Sequence, residues 1–242
     1  MHKSSARYTI LALICALSIS CSGLPGKPTP GEQKQENLRH AQKIFLIGKE
    51  LMEIGKTEEA KMRFEQAFIA SEKEGYVQGQ LLSLESLAFL EINSGNVKEG
   101  LKIISKAINL IDNADNKIQI ASLLNLKGTA HATLEQYDKA LDAYYESLRF
   151  DVLSGNILGT AVTHNNLGKI HFKSGNMDLA MEHYVKALDV FVRLNDLSRA
   201  DVVVKNMSLI VQKKTEAAEQ KKLKKAKKAK KSKSKKPSKK KK

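Results

Sequence analysis

The sequence predicts an all-α solenoid of four helix–turn–helix repeats followed by one capping helix. The first observation is a period of 40 residues that sets small residues at Gly48, Ala88, Gly128 and Gly168. The second is a set of large residues with the same step, at Phe64, Ile104, Tyr144 and Tyr184. The third is that turn-forming residues recur twice in each period. Since a unit of this length is too small to bury a core alone, the units have to stack on one another.

The first element along the chain is a predicted export signal over residues 1–20. Lys3 and Arg7 give it a positive start, residues 8–19 form an apolar run, and small residues follow. This order is typical of a secretory signal peptide. The apolar run is too short for a membrane-spanning helix, which needs about 20 apolar residues.

Cys21 follows the apolar run, and Leu17 lies one position before the place where lipoprotein signals prefer leucine. The arrangement resembles the bacterial lipoprotein signal, which implies cleavage before Cys21 and a diacylglyceryl group on its thiol. Ser22 implies the outer membrane, facing the periplasm, if the host has two membranes. The alternative is an ordinary cleaved signal with an incidental cysteine. Residues 21–35 hold three of the four prolines and are expected to form a flexible tether.

The four repeats are predicted at residues 36–75, 76–115, 116–155 and 156–195. Each contains two runs of apolar residues spaced three and four apart, which is the pattern of an amphipathic helix. Breaks between the two helices of a repeat are expected at Gly55, Gly95, Glu135 and Gly175. Breaks between repeats are expected at Gly75, Asp115, Gly155 and Asn195. Gly, Asn and Asp tolerate the left-handed conformation that ends a helix.

The last two elements are a capping helix and a basic tail. Residues 196–220 carry Val203, Met207 and Ile210 in helical register, which predicts the capping helix. Residues 221–242 hold 15 lysines and no acidic residue, so the net charge of +15 leaves the rest of the chain neutral. Repulsion between the lysines predicts a disordered tail. Because it lacks arginine and aromatic residues, we expect it to attract anionic surfaces with little selectivity.

Part of this pattern resembles the tetratricopeptide repeat. In the fourth repeat the resemblance is carried by Leu167, Gly168, His171, Gly175, Ala180, Tyr184 and Ala187. In the third repeat it is carried by Gly128, Tyr137, Ala140 and Tyr144. The first two repeats are looser. The family's usual period is about 34 residues, so the period of 40 resembles its long-helix members. The resemblance covers residues 36–212 and implies a right-handed superhelix that binds proteins.

In this family the first helix of each repeat lines a concave groove that holds a peptide. Register then implies a partner-binding groove that includes Asn125, Thr129, Asn165, Lys169, Lys173 and Lys205. The earlier repeats would add Phe45, Lys49, Met52, Glu85 and Phe89. Asparagine can bond a peptide backbone, and lysine can pair with a carboxylate, so an extended segment that is acidic or ends in a free carboxylate is expected. The alternative is that these are ordinary solvated residues.

The sequence offers no chemistry typical of an enzyme, and we expect no activity and no cofactor. Cys15 and Cys21 both precede the repeats, which leaves the repeats without a thiol. No nucleophile motif, phosphate-binding loop or carboxylate pair is recognisable. His131 and His171 lie one period apart and are expected to pack between helices. His164 and His171 could share one helix face, but no neighbouring carboxylate or cysteine would complete a metal site.

The sequence therefore predicts a lipid-anchored scaffold or assembly factor of the bacterial cell envelope that binds a protein segment in its groove. The lysine tail would hold it to an anionic surface. The alternative is an intracellular protein of the same fold that binds nucleic acid or another polyanion through the lysine tail. That alternative requires residues 1–20 to be something other than an export signal, so nucleic acid is not the expected partner.

Overall fold

Nine α-helices make up the part of the chain that the computed structural model describes, residues 28–111 and 116–234. They are α1 (Pro30–Glu53), α2 (Thr57–Lys73), α3 (Val77–Asn93), α4 (Val97–Asn109), α5 (Lys117–Thr133), α6 (Tyr137–Ser154), α7 (Ile157–Lys173), α8 (Met177–Arg193) and α9 (Leu197–Ser234). Each helix packs on the next, and the odd-numbered helices, here called the first helices, also contact one another in sequence. The predicted all-α solenoid is confirmed. The predicted signal peptide and Cys21 lie outside the described residues.

The helices are separated by one recurring hydrogen-bonded turn. After α1, the Gly55 N–H donates to the Met52 carbonyl at 3.1 Å and the Lys56 N–H donates to the Leu51 carbonyl at 2.9 Å. These two bonds form the Schellman motif, which requires a left-handed residue. Positive φ angles occur at Gly55, Gly75, Gly95, Glu135, Gly155, Gly175 and Asn195. The predicted breaks at these positions are confirmed, and the one predicted at Asp115 lies outside the described residues.

Helix α1 begins inside the segment predicted to be a tether. The Thr29 hydroxyl accepts a hydrogen bond from the Glu32 N–H at 3.3 Å, and the Glu32 carboxylate accepts one from the Thr29 N–H at 2.7 Å. This reciprocal pair is a capping box, which starts a helix. Pro30 fits because the first turn needs no N–H donor. The tether prediction is therefore wrong for residues 30–35.

Helix α9 runs from Leu197 to Ser234 and passes the predicted end of the capping helix at Gln220. The prediction of a disordered tail is therefore wrong for residues 221–234. Lysine and alanine are both strong helix formers, and the side chains of residues 221–228 are all exposed, so water surrounds their charges. Neither α9 nor any other helix within residues 28–111 and 116–234 is long and apolar enough to cross a membrane.

Within three of the repeats, a glycine on the first helix faces an aromatic ring on the second. A Cβ added at Gly168 would lie 2.7 Å from the Tyr184 ring, and one added at Gly128 would lie 2.6 Å from the ring opposite it. Carbon atoms do not approach so closely, so a larger residue would push the helices apart. In the second repeat Ala88 takes the glycine's place and packs in the same buried cluster as the smaller Ile104. Where the residue on the first helix is alanine instead of glycine, the facing residue is therefore isoleucine instead of the larger tyrosine.

This size match predicts the effect of changing one partner. Gly168→Ala should lower the free energy of unfolding by about 2 kcal/mol, because the added methyl group overpacks the contact with Tyr184. Adding Tyr184→Ile should recreate the combination found at Ala88 and Ile104. The double variant should therefore be more stable than the sum of the two single losses predicts, by about 1 kcal/mol. Urea denaturation of all three variants measures this coupling, and additive losses would contradict the size match.

Candidate functional site

The first helices line a groove with a volume of about 690 Å³. Helices α1, α3, α5 and α7 contribute to it, together with the end of α6 and the turn that follows. Its walls are largely apolar and are formed by Phe45, Met52, Leu82, Phe89, Ile118, Leu126, Leu158 and Val162. Phe89 is 45% exposed and Ile118 is 50% exposed. A concave surface with exposed aromatic and aliphatic side chains can bury the side chains of a binding partner.

Glu85 stands in the same groove on α3. The Ser122 hydroxyl of α5 donates a hydrogen bond to its carboxylate. Burial raises the pKa of Glu85, and the hydrogen bond from Ser122 opposes this shift only in part. The carboxylate therefore lies in surroundings that disfavour its negative charge.

A chain of polar side chains crosses the floor of the groove between α5 and α7. The Asn125 amide Nδ2 donates to the Thr163 hydroxyl at 2.7 Å, and the Asn125 Oδ1 accepts from the Asn166 amide at 3.0 Å. The Thr129 hydroxyl donates to the Asn125 carbonyl at 3.1 Å and lies 3.1 Å from the Tyr144 hydroxyl. These bonds fix the two helices relative to each other, and they occupy both ends of the Asn125 amide.

The chain of hydrogen bonds continues to Asp151 at the end of α6. The Asp151 carboxylate accepts from the Thr163 hydroxyl at 3.1 Å and from the Asn156 amide at 2.7 Å. Its side chain is 2% exposed, and burial raises the pKa of Asp151. Because this buried carboxylate accepts from α7 and from the turn before it, it holds α6, α7 and that turn together.

Of the predicted groove residues, the structure places Asn125 and Thr129 in the lining of this groove. Asn165 of α7 is outside that lining. Its Oδ1 atom is buried and has no hydrogen-bond partner within the described residues. The adjacent Asn166 lines the groove in its place. The contact from Asn125 therefore spans 41 residues, one more than the sequence period.

The predicted lysines also lie outside this lining. Lys169 is exposed, and its ammonium group is 3.5 Å from the Asn166 Oδ1. The Lys173 ammonium lies 6.0 Å from the centre of the Tyr137 ring. Lys205 on α9 pairs with Asp201 at 2.6 Å, and both side chains are exposed. None of these three lysines contributes to the groove lining.

Sequence reasoning missed the polar residues Ser122, Asp151, Thr163 and Asn166. Ser122 and Thr163 are not the residues that a step of 40 relates to Glu85 or Asn125. Asp151 lies on α6, the second helix of its repeat, and the predicted groove was built from first helices alone. The pair Asn165 and Asn166 offered a signal, because either residue could have been the one that faces Asn125.

A second polar cluster lies between α6, α7 and α8. The His171 and His183 rings stack with their centres 5.3 Å apart, and the His164 Nδ1 is 3.0 Å from the His183 Nδ1. The Tyr145 hydroxyl is 3.1 Å from the His171 Nε2. The predicted packing role of His171 is confirmed by its burial. The described residues contain no group of three or more His, Cys, Asp or Glu side chains arranged to hold a metal ion.

This cluster predicts a loss of stability in acid. Burial, followed by the charges of His164 and His171, lowers the pKa of His183 from 6.5 to about 4. The unfolded chain therefore binds more protons between these values, so the free energy of unfolding falls as the pH falls through them. We expect His183 to account for a loss of about 2 kcal/mol on going from neutral pH to about pH 5.

Thermal unfolding as a function of pH tests this expectation. His183→Phe should flatten the pH dependence, because the titrating ring is gone while most of the packing remains. The matched change His40→Phe, at an exposed histidine of α1, should leave the dependence as in the unchanged protein. Equal slopes for the unchanged protein and His183→Phe would contradict the assignment.

Part of this groove is formed by residues that match known repeat profiles. Residues 79–151, which span α3 to α6, match a family profile described as tetratricopeptide repeat. Residues 161–190, within α7 and α8, match a second profile with the same description. Photosystem I assembly protein Ycf3 of Prochlorococcus marinus (strain MIT 9211) is 34% identical over 97 residues, which are 40% of this chain and 51% of that protein. The chain thus matches about half the length of this curated relative.

Two solved structures have a similar fold. One is the signal transduction ATPase with numerous domains from Pyrococcus horikoshii, which has a tetratricopeptide repeat sensor. It has a TM-score of 0.61 and 18% identity, covering 72% of this chain and 27% of that one. The other is BtubC from P. vanneervenii, with a TM-score of 0.54 and 14% identity, covering 78% of this chain and 90% of that one. At these identities the likeness shows the fold alone. The helical pairs and the two matched profiles support tetratricopeptide repeats at residues 79–151 and 161–190.

Proposed function

We propose that this protein is a non-enzymatic scaffold or assembly factor that binds a segment of a protein partner in the groove of its first helices. The observation that carries the proposal is the groove itself, whose exposed apolar walls enclose a polar floor. A partner segment would bury Phe89 and Ile118 and could bond the remaining polar atoms of the floor. The name of the curated relative, an assembly protein, supports a role of this kind.

The groove proposal predicts where a partner can be cross-linked. A photoreactive amino acid at Ile118, inside the groove, should capture one discrete protein in the native host. The same amino acid at Leu179, which is 45% exposed on α8 and outside the groove lining, serves as the control. Phe89→Ser should remove the Ile118 adduct, because it takes away part of the apolar wall. Equal adducts from Ile118 and Leu179, unchanged by Phe89→Ser, would contradict groove binding.

We further propose that the protein works in the bacterial cell envelope, anchored by lipid on Cys21. The support for this is the order of charged, apolar and small residues before Cys21, together with the prolines after it. Two or three acyl chains hold a protein stably on a membrane, since each buried CH₂ contributes about 0.8 kcal/mol. The lysines of α9 would add attraction to an anionic surface of about 1 kcal/mol for each residue near it.

The anchor predicts a specific mature N-terminus. Mass spectrometry of the protein from the host's membrane fraction should find an acylated Cys21 as its first residue. Cys21→Ala should move the protein out of that fraction, because both the lipid and the cleavage site are lost. An intact Met1 in a soluble fraction would contradict the anchor. That result would favour the alternative, an intracellular protein that binds a polyanion through its lysines.

A further inference from the structure

The Glu85 carboxylate forms no salt bridge with any residue that the structure describes. It lies on α3, one turn from Leu82 on one side and one turn from Phe89 on the other. Its one side-chain hydrogen bond among the described residues comes from the Ser122 hydroxyl. A carboxylate has about four acceptor sites. Most of its capacity therefore remains open to a bound group.

Two other charged residues line the groove, Lys49 on α1 and Asp151 on α6. Asp151 is a second carboxylate, and its own donors are Asn156 and Thr163. Burial raises the pKa of Glu85, and the hydrogen bond from Ser122 opposes that shift. The groove therefore combines apolar walls with a carboxylate that forms no salt bridge among the described residues.

We propose that the groove binds an apolar protein segment carrying one arginine or lysine, and that this cation pairs with the Glu85 carboxylate. The proposal rests on the groove function proposed above and names the chemistry of its partner. Apolar side chains beside the cation would cover Phe89 and Ile118 and exclude water. Exclusion of water strengthens the ion pair, and arginine could engage both carboxylate oxygens.

The same charge discriminates against the acidic segment that the lysines of α7 and α9 led us to expect. An acidic side chain in the groove would stand against Glu85, and like charges in an apolar site repel strongly. Lys169, Lys173 and Lys205 lie outside the groove lining and do not relieve this repulsion.

The ion pair also gives binding a definite dependence on pH. Binding of a cation favours the ionised form of Glu85, whose pKa lies above the ordinary 4.5. Affinity should therefore rise as the pH rises through the titration of Glu85 and then level off. Lys49 and Asp151, the other titratable groups of the lining, face the same groove. Glu85→Gln separates the contribution of Glu85 from theirs, because it keeps the shape and removes the charge.

Selection from a random library of displayed dodecapeptides on the immobilised full chain tests the proposal without a known partner. The enriched peptides should carry one arginine or lysine flanked by apolar residues. Their affinity should fall at least tenfold on Glu85→Gln and lose its pH dependence. The matched change Glu65→Gln, at an exposed carboxylate on α2, should have no effect. Melting curves establish that each variant is folded.

A double variant, Phe89→Ser with Ile118→Ser, separates groove binding from the pairing with Glu85. It removes part of the apolar wall without changing the charge of the groove. Peptides that need Phe89 and Ile118 but show no cation preference, or bind Glu85→Gln as tightly, would overturn the pairing with Glu85 and leave groove binding intact. Peptides that bind the double variant as tightly as the unchanged chain would overturn groove binding itself.

Discussion

The close contact between a glycine on one helix and an aromatic ring on the next is the constraint on which this stack depends. At Gly168 there is no room for a Cβ beside the Tyr184 ring, so the ring fixes the distance between the two helices. A glycine faces an aromatic ring in the first, third and fourth repeats, and Ala88 and Ile104 occupy the equivalent positions in the second. The first helices then come to lie side by side, which creates a groove that no single pair could form.

Most polar side chains that line the groove also hold the first helices together. Apolar packing alone would allow helices to slide, whereas the hydrogen bonds from Asn125 to Thr163 and Asn166 set one register between α5 and α7. Asp151 anchors the same network to α6. These polar groups are largely satisfied within the protein. Glu85 is different, since one serine hydroxyl is its only donor among the described residues. Hydrogen bonds thus hold α5, α6 and α7 together, whereas the Glu85 carboxylate on α3 keeps acceptor sites that no other side chain of the described residues fills.

The sequence was sufficient to predict the fold but not the whole site. A period of 40 residues identifies the buried face of each helix, because the residues that recur with it, such as Gly168 and Tyr184, lie in the contact between helices. The period cannot decide which of Asn165 and Asn166 lines the groove. Adjacent residues on a helix point about 100° apart, and neighbouring helices are offset along their axes. The predictions for the start of α1 and the end of α9 were wrong for a different reason. The capping box at Thr29 and the helix propensity of the lysine-rich segment are local effects that composition alone conceals.

We propose that the groove of the first helices, and not the outer face of the stack, is the surface that binds a partner. Methyl NMR of the chain, titrated with a peptide selected on it, tests this most directly. We expect shifts at groove methyl groups such as Ile118, Leu126 and Leu158, with Leu179 and Val192 of α8, which are exposed outside the groove, unchanged. Shifts at Leu179 and Val192, with Ile118 and Leu126 unmoved, would contradict groove binding.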